Sequence, residues 1–211
     1  MRINRVRPEK AEIEMLDPTG LEGFADKRGL PLDFLATMGL HIAPDDGERP
    51  GWIAIPYPHL TGIWYMRYRN PGDGPYDQFN PKYWAKPGSQ VHLYNPQRLG
   101  PNADAVIFTE GEIDCLVLTH LDYPAIGIPG ASLAEKFHGS WQLLFDDTHV
   151  IPAFDSDPAG QTASAKIQGA FAPRSHILAL PQGLDINDWY LTDPDALRYA
   201  VDTVLAMGVN E

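Results

Sequence analysis

Between residues 104 and 191, short apolar runs alternate with helical stretches in an order that leaves few choices of fold. AVIFTE (105–110) precedes IDCLVLTHL, AIGIP precedes SLAEKFHGSWQLLF, HVIPAFD (149–155) precedes PAGQTASAKIQGAF, and HILALP (176–181) closes the series. The order is βαβαβαβ. Its strands are apolar along their whole length, which predicts a parallel sheet buried on both faces by helices. In such a sheet the carboxyl ends of the strands share one rim, and ligands bind there. The residues before Leu99-Gly100-Pro101 read differently. Helical spacing recurs in GLEGFADKRG and PLDFLATMGL, and GWIAIPYP and GIWYMRYRN suit a hairpin turning at His59-Leu60-Thr61-Gly62, with the prolines at edges or bends. The chain is therefore expected to be α/β, with a small mixed α+β subdomain over 1–100 and a parallel-sheet domain with a short C-terminal helix over 101–211.

Three of the four expected strands end in acid or lead directly to it. AVIFTE ends at Glu110, HVIPAFD ends at Asp155 with Asp157 two residues on, and HILALP leads through Gln182-Gly183-Leu184 to Asp185. Taken singly, each has an ordinary role: Asp157 before Pro158 as a helix N-cap, Asp185 as a turn or cap residue, Glu110 as a charge favoured at a helix N-terminus. Those roles do not account for three acids at the same end of three strands. Carboxylates gathered on one rim repel and raise one another's pKa values. A hard divalent cation removes that cost, and Mg²⁺ takes a few carboxylate oxygens while keeping waters for a substrate phosphate. Asp146 and Asp147 precede their strand and belong to the opposite edge.

Charge and composition narrow the setting. Residues 1–100 carry 12 Lys and Arg against 12 Asp and Glu, residues 101–211 carry 4 against 16, and the whole net charge of −12 lies in the second half. A carboxylate-rich half is a solvated acidic surface or one that also gathers divalent cations. One cysteine, Cys115, excludes an internal disulfide and a thiolate zinc cluster, and is expected to be a small buried apolar residue. No apolar run is long enough for a membrane span, MRINRVRPEKAE has no apolar stretch behind it to make a signal peptide, and a cytoplasmic location is expected. The absence of GxxxxGK[ST] excludes a P-loop motor within these residues.

The motifs resemble those of the TOPRIM family. Glu110-Gly111-Glu112-Ile113-Asp114 matches EG-x-x-D, Phe154-Asp155-Ser156-Asp157-Pro158-Ala159-Gly160 matches DxD with its trailing glycine, and Leu180-Pro181-Gln182-Gly183-Leu184-Asp185-Ile186-Asn187-Asp188 is similar to the LP-x-G-x-D-x-N-D form of phage primases. Gly127-Ile128-Pro129-Gly130-Ala131 resembles the glycine turn after the second strand. Ahead of residue 100, Lys27-Arg28-Gly29-Leu30 resembles the RGL helix of DnaG-type polymerase domains, Ile55-Pro56-Tyr57 through Arg69 their IP and G-x-IxGxxxR hairpin, Pro81-Lys82-Tyr83-Trp84 their PKYLN, and His92-Leu93-Tyr94-Asn95 their LYG segment. The resemblance runs from about residue 20 to 191.

That resemblance implies a phage-like DNA primase core, a nucleotidyltransferase making short RNA primers from ribonucleoside triphosphates on single-stranded DNA. Mg²⁺, or Mn²⁺ in its place, would be held by Glu110, Asp155, Asp157 and Asp185, with Glu110, Asp155 and Asp157 catalytic. Arg67 and Arg69, two apart on a strand and so on one face, would hold triphosphate or template with Lys82 and Lys86. Tyr65, Trp64, Tyr83 and Trp84 are candidates for base stacking or for core. The family's zinc module and helicase motor are missing from these residues, so a separate helicase or zinc-binding template-recognition subunit is implied. The basic position near the LYG segment is here Gln90 or Val91, and Asn187 stands where cellular relatives often have Asp. Two rivals use the same residues: a TOPRIM nuclease with Glu110 as general acid and base, favoured over a topoisomerase because no second domain is available for an active-site tyrosine, and a non-catalytic nucleic-acid-binding scaffold.

Overall fold

The computed structural model describes residues 19–45, 47–59, 62–89, 92–99, 103–129, 143–145 and 147–209. The chain divides into two compact units, Met1–Val91 and His92–Glu211.

The first unit opens with α1 (Glu22–Arg28) and α2 (Leu32–Thr37), whose apolar faces bury Leu21, Ala25, Leu30, Leu35 and Leu40. An antiparallel sheet follows in the order β1-β2-β3-β4, with β1 His41–Ile42, β2 Ile53–His59, β3 Gly62–Arg69 and β4 Tyr83–Ala85. The expected hairpin is β2–β3; its turn residues Leu60 and Thr61 lie outside the described residues. The prolines explain how far the sheet extends. β1 pairs with β2 only at Ile53 and Ala54, so Pro56 and Pro58, which cannot donate to a ladder, fall where β2 has no neighbour on that side among the described residues, and the β2–β3 register shifts between Tyr57 and Pro58. Tyr57 stacks on Tyr65 at 4.5 Å between ring centroids, and Tyr68 packs on Trp84 at 5.6 Å. Tyr65 and Trp84 thus serve packing; the side chain of Trp64 lies outside the described residues.

The second unit is built on a parallel sheet in the order β6-β5-β7, with β5 Ala105–Thr109, β6 Ala125–Gly127 and β7 His149–Ala153. Its helices are α3 (Glu112–His120), α4 (Pro158–Phe171), α5 (Ile186–Thr192) and α6 (Pro194–Val209). Residues 132–142 of the expected helix SLAEKFHGSWQLLF, with Gly130, Ala131 and Asp146, lie outside the described residues, and Leu143–Phe145 forms a 3-10 turn. Phe108 of β5 sits at the centre of the core, edge-on to Phe145 and Phe171, with Val106, Ile126, Val150 and Ile167 around it. Each such fully buried side chain contributes about 1.5–3 kcal/mol. Cys115 is fully buried, and burial pushes its thiol up to about 12, so it behaves as a small apolar residue. No helix among the described residues is long and apolar enough to cross a membrane.

The expected fourth strand, HILALP, does not form. The chain runs alongside β7 through a single bridge, Val150 to Ser175, with Val150 N–H donating to Arg174 O and Leu178 N–H to Pro152 O. The bond that would continue the ladder is the one from residue 152 to residue 176, and Pro152 has no N–H to make it.

The LYG-like segment carries Asn95 in the left-handed region at φ 68°. Asparagine is the best non-glycine occupant of that conformation, and here the side chain is also used: fully buried, its Nδ2 donates to Thr119 Oγ1 at 3.1 Å and to Ala125 O at 3.3 Å. Asn95→Ala removes both bonds and places a Cβ-bearing residue without a compensating side chain at positive φ, an expected loss of about 2–3 kcal/mol in urea unfolding. Asn95→Gly should cost less than Asn95→Ala, because glycine accepts the backbone.

Candidate functional site

The rim acids are set by how each strand hands over to its helix. β5 ends at Thr109, Glu110 follows half-buried, and α3 begins at Glu112. α3 is buried from Glu112 to Leu118, with Glu112 1% and Asp114 8% exposed. Two acids are therefore enclosed in the first turn of a core helix, where the positive end of the helix dipole favours them. β7 hands over through Asp155 and Ser156 to Asp157, which caps α4 by accepting Gly160 N–H at 2.7 Å, with Pro158 at the first helical position. Gly160 is required by space. A Cβ there would stand 2.2 Å from Asp155 O, so the first turn of α4 is pressed directly onto the Asp155 backbone. Asp185 caps α5 by accepting Asp188 N–H at 2.6 Å.

Asp114 shows that these elements converge. Its carboxyl is held well above the usual carboxylate range, first by burial and then by the negative charges of Asp185, Asp155 and Glu110, while the N–H of Asn187 donates to Asp114 Oδ1 at 3.1 Å and works the other way. Acids from three separate segments thus act on one buried carboxyl. Glu110, Asp155 and Asp185 are brought together around it. Asp157 is exposed at the α4 N-terminus. Asp114 belongs to the EG-x-x-D motif, but sequence spacing gave it no role of its own; the available signal was an acid one helical turn past Glu110 inside an apolar run. Asn187 is fully buried and supports Asp114 through its backbone, whereas Asp188 is exposed.

The donor set consists of carboxylate oxygens, without nitrogen or sulfur, which suits Mg²⁺ or Mn²⁺. No three acidic, histidine or cysteine side chains among the described residues form a ready-made cage.

The predicted basic residues lie in the first unit. Arg67 and Arg69 do share a face: their guanidinium carbons lie 4.3 Å and 5.0 Å from the centre of the Tyr83 ring. They are not equivalent. Arg69 is 7% exposed and donates to Tyr83 Oη at 2.6 Å, while Arg67 is half-buried. Lys82 is exposed, and Lys86 pairs with Glu48 at 3.0 Å. Lys27 pairs with Asp73, whose carboxyl is held below its ordinary range by that hydrogen bond and charge. Gln90 and Val91 lie outside the described residues.

Residues 107–190 match the family described as Toprim-like. The gene 57 protein of Mycobacterium phage D29 is 30% identical over 142 residues, which are 65% of this chain and 88% of that protein. Among solved structures, the primase fragment of the bacteriophage T7 primase-helicase protein aligns over 85% of this chain and 72% of its own, with a TM-score of 0.65 and 24% identity. The RNA polymerase domain of Mycobacterium tuberculosis primase DnaG aligns over 88% and 75%, with a TM-score of 0.70 and 17% identity. Residues 107–190 thus carry a Toprim-like segment within a chain that has the fold of DnaG-type primase polymerase cores. Within that class, the chain belongs to the phage family of the D29 gene 57 protein.

Because folding holds the Asp114 carboxyl well above the range in which the unfolded chain ionises it, the contribution of Asp114 to stability falls as pH rises above the usual carboxylate range. Asp185→Asn keeps an oxygen to cap α5 but removes the largest charge acting on Asp114. In metal-free buffer it should raise the melting temperature at pH 8 by a few degrees, with the gain shrinking toward pH 3, where carboxylates are protonated in both states.

Proposed function

We propose that this chain is the synthetic core of a DNA primase, joining ribonucleoside triphosphates into short RNA primers on single-stranded DNA. The observation that carries the reading is the convergence of Glu110, Asp155 and Asp185 on buried Asp114 at the carboxyl rim of a Toprim-like sheet. Glu110, Asp155, Asp157 and Asp185 would hold Mg²⁺, which supplies charge neutralisation on the triphosphate and at the attacking and leaving oxygens. The chain's own groups then position and bind. Asp114, enclosed and held well above the usual carboxylate range, forms the floor of the rim. Arg67 and Lys82 offer phosphate-binding cations, the planar guanidinium for paired oxygens and the ammonium as a point charge. Arg69, buried against Tyr83, orients that ring and the Arg67 side chain beside it, and Lys86 competes with its pairing to Glu48. In the transfer, a primer 3′-oxygen bonds to the α-phosphorus of the incoming nucleotide, its proton passes to solvent or a rim carboxylate, and pyrophosphate leaves.

A further T7 structure holds the lagging-strand DNA polymerase interacting with primase domains of two gp4 subunits bound to an RNA/DNA hybrid and dTTP; it is 23% identical to this chain with a TM-score of 0.65. Nucleic acid and nucleotide are accordingly the ligands proposed here. Template choice is assigned to a partner chain, a helicase or a zinc-binding subunit.

The test is incubation of the full chain with single-stranded DNA, labelled ribonucleoside triphosphates and Mg²⁺, products being read on a gel. Short RNA that vanishes with chelator is expected, and Asp155→Ala should lower it about a hundredfold or more while leaving the chain folded. DNA cut without nucleotides would move the assignment to a nuclease, and full activity in Asp155→Ala would remove the site. Arg67→Ala should raise the apparent KM for nucleotide or template about tenfold, whereas Arg69→Ala should lower the melting temperature as well.

A further inference from the structure

Besides Glu110, the rim acids sit on two loops far apart in sequence: Asp155 to Asp157 between β7 and α4, and Gly183 to Asp185 ahead of α5. The first is fixed on its helix side. Asp157 caps α4, Gly160 packs against the Asp155 backbone, and Gln161 Nε2 donates to Ser156 O at 2.8 Å. The second is a tight turn, closed by Leu184 N–H to Pro181 O at 3.1 Å, with Gly183 at φ +80°. Nothing lies within 4 Å of a Cβ at Gly183, so glycine is needed there for its backbone angle, which aims its N–H. That N–H donates to Ser156 Oγ at 2.8 Å, across 27 positions of sequence. The residue between the two acids of DxD therefore reaches over to the turn that delivers Asp185.

We propose that Ser156 is a positioning residue: its hydroxyl ties the Asp155–Asp157 loop to the Asp185 loop and so limits how far their carboxylates can separate before a divalent cation draws them in. Carboxylates on separate loops repel and drift apart, and a cation then binds only after they are drawn back together. A hydrogen bond between the loops limits that drift, in the way groups behind metal ligands commonly hold them near their binding positions. The inference rests on the reading of the rim as a metal site and does not depend on which reaction the metal serves.

The experiment is Mn²⁺ binding to the full chain, followed by electron paramagnetic resonance, for the wild type, Ser156→Ala, Ser156→Thr and Asp155→Ala. Ser156→Ala should weaken Mn²⁺ binding about tenfold with an unchanged circular dichroism spectrum, and Ser156→Thr, which keeps the hydroxyl, should restore most of it. In primer synthesis, Ser156→Ala should raise the Mg²⁺ requirement by a similar factor, and excess Mg²⁺ should recover the lost rate. Wild-type Mn²⁺ affinity in Ser156→Ala, or a fall in rate that Mg²⁺ does not recover, overturns the proposal while leaving the metal site standing. Equal Mn²⁺ binding by the wild type and Asp155→Ala overturns the metal site itself, and this proposal with it.

Discussion

Like charge held together in a small volume is the constraint around which the second unit is organised. A parallel sheet delivers the ends of its strands to one rim, so the acids after β5 and β7 and ahead of α5 meet although 30 to 75 positions separate them in the chain. The fold answers the repulsion in three ways. α3 turns its positive end toward Glu112 and Asp114, the N–H of Asn187 donates into the cluster, and burial shifts Asp114 toward its neutral form. Each depends on accurate backbone placement, which the Phe108 core, the largely buried β5 and the fully buried β7 provide.

Much of this could be read from the residues because its signals are local. Continuous apolar runs marked β5, β6 and β7, and Asp157-Pro158 and Asp185 marked the starts of α4 and α5, where both acids do act as caps. Capping and rim membership are compatible in Asp185, whose carboxyl also acts on Asp114. What could not be read depends on contacts between distant segments. The enclosure of Asp114 needs α3 to be covered on every side, and the link from Ser156 to Gly183 has no trace in either segment alone. HILALP carries an apolar strand pattern of its own, but a proline in a different segment decides that it stays irregular.

The first unit shows the same division. Alternation along β3 placed Arg67 and Arg69 on one face. It could not show that β4 would bring Tyr83 beneath both, nor that the Tyr83 hydroxyl would hold Arg69 in a buried place while Arg67 stays half-buried. One arginine is thereby committed to structure and its neighbour to the surface. Two identical side chains on one strand face differ in role because of a residue some fourteen positions downstream.

Pro152 has a further effect on how this protein meets others of its kind. A parallel sheet with an open outer strand presents a row of backbone donors and acceptors that another chain can extend. Here the stretch from Ser175 to Leu178 lies along β7 and occupies its outer side, yet with one ladder bond missing it never becomes a regular strand. On the β7 side the sheet is covered by a segment that is a poor template for a further strand, and this guards that edge against pairing with another chain.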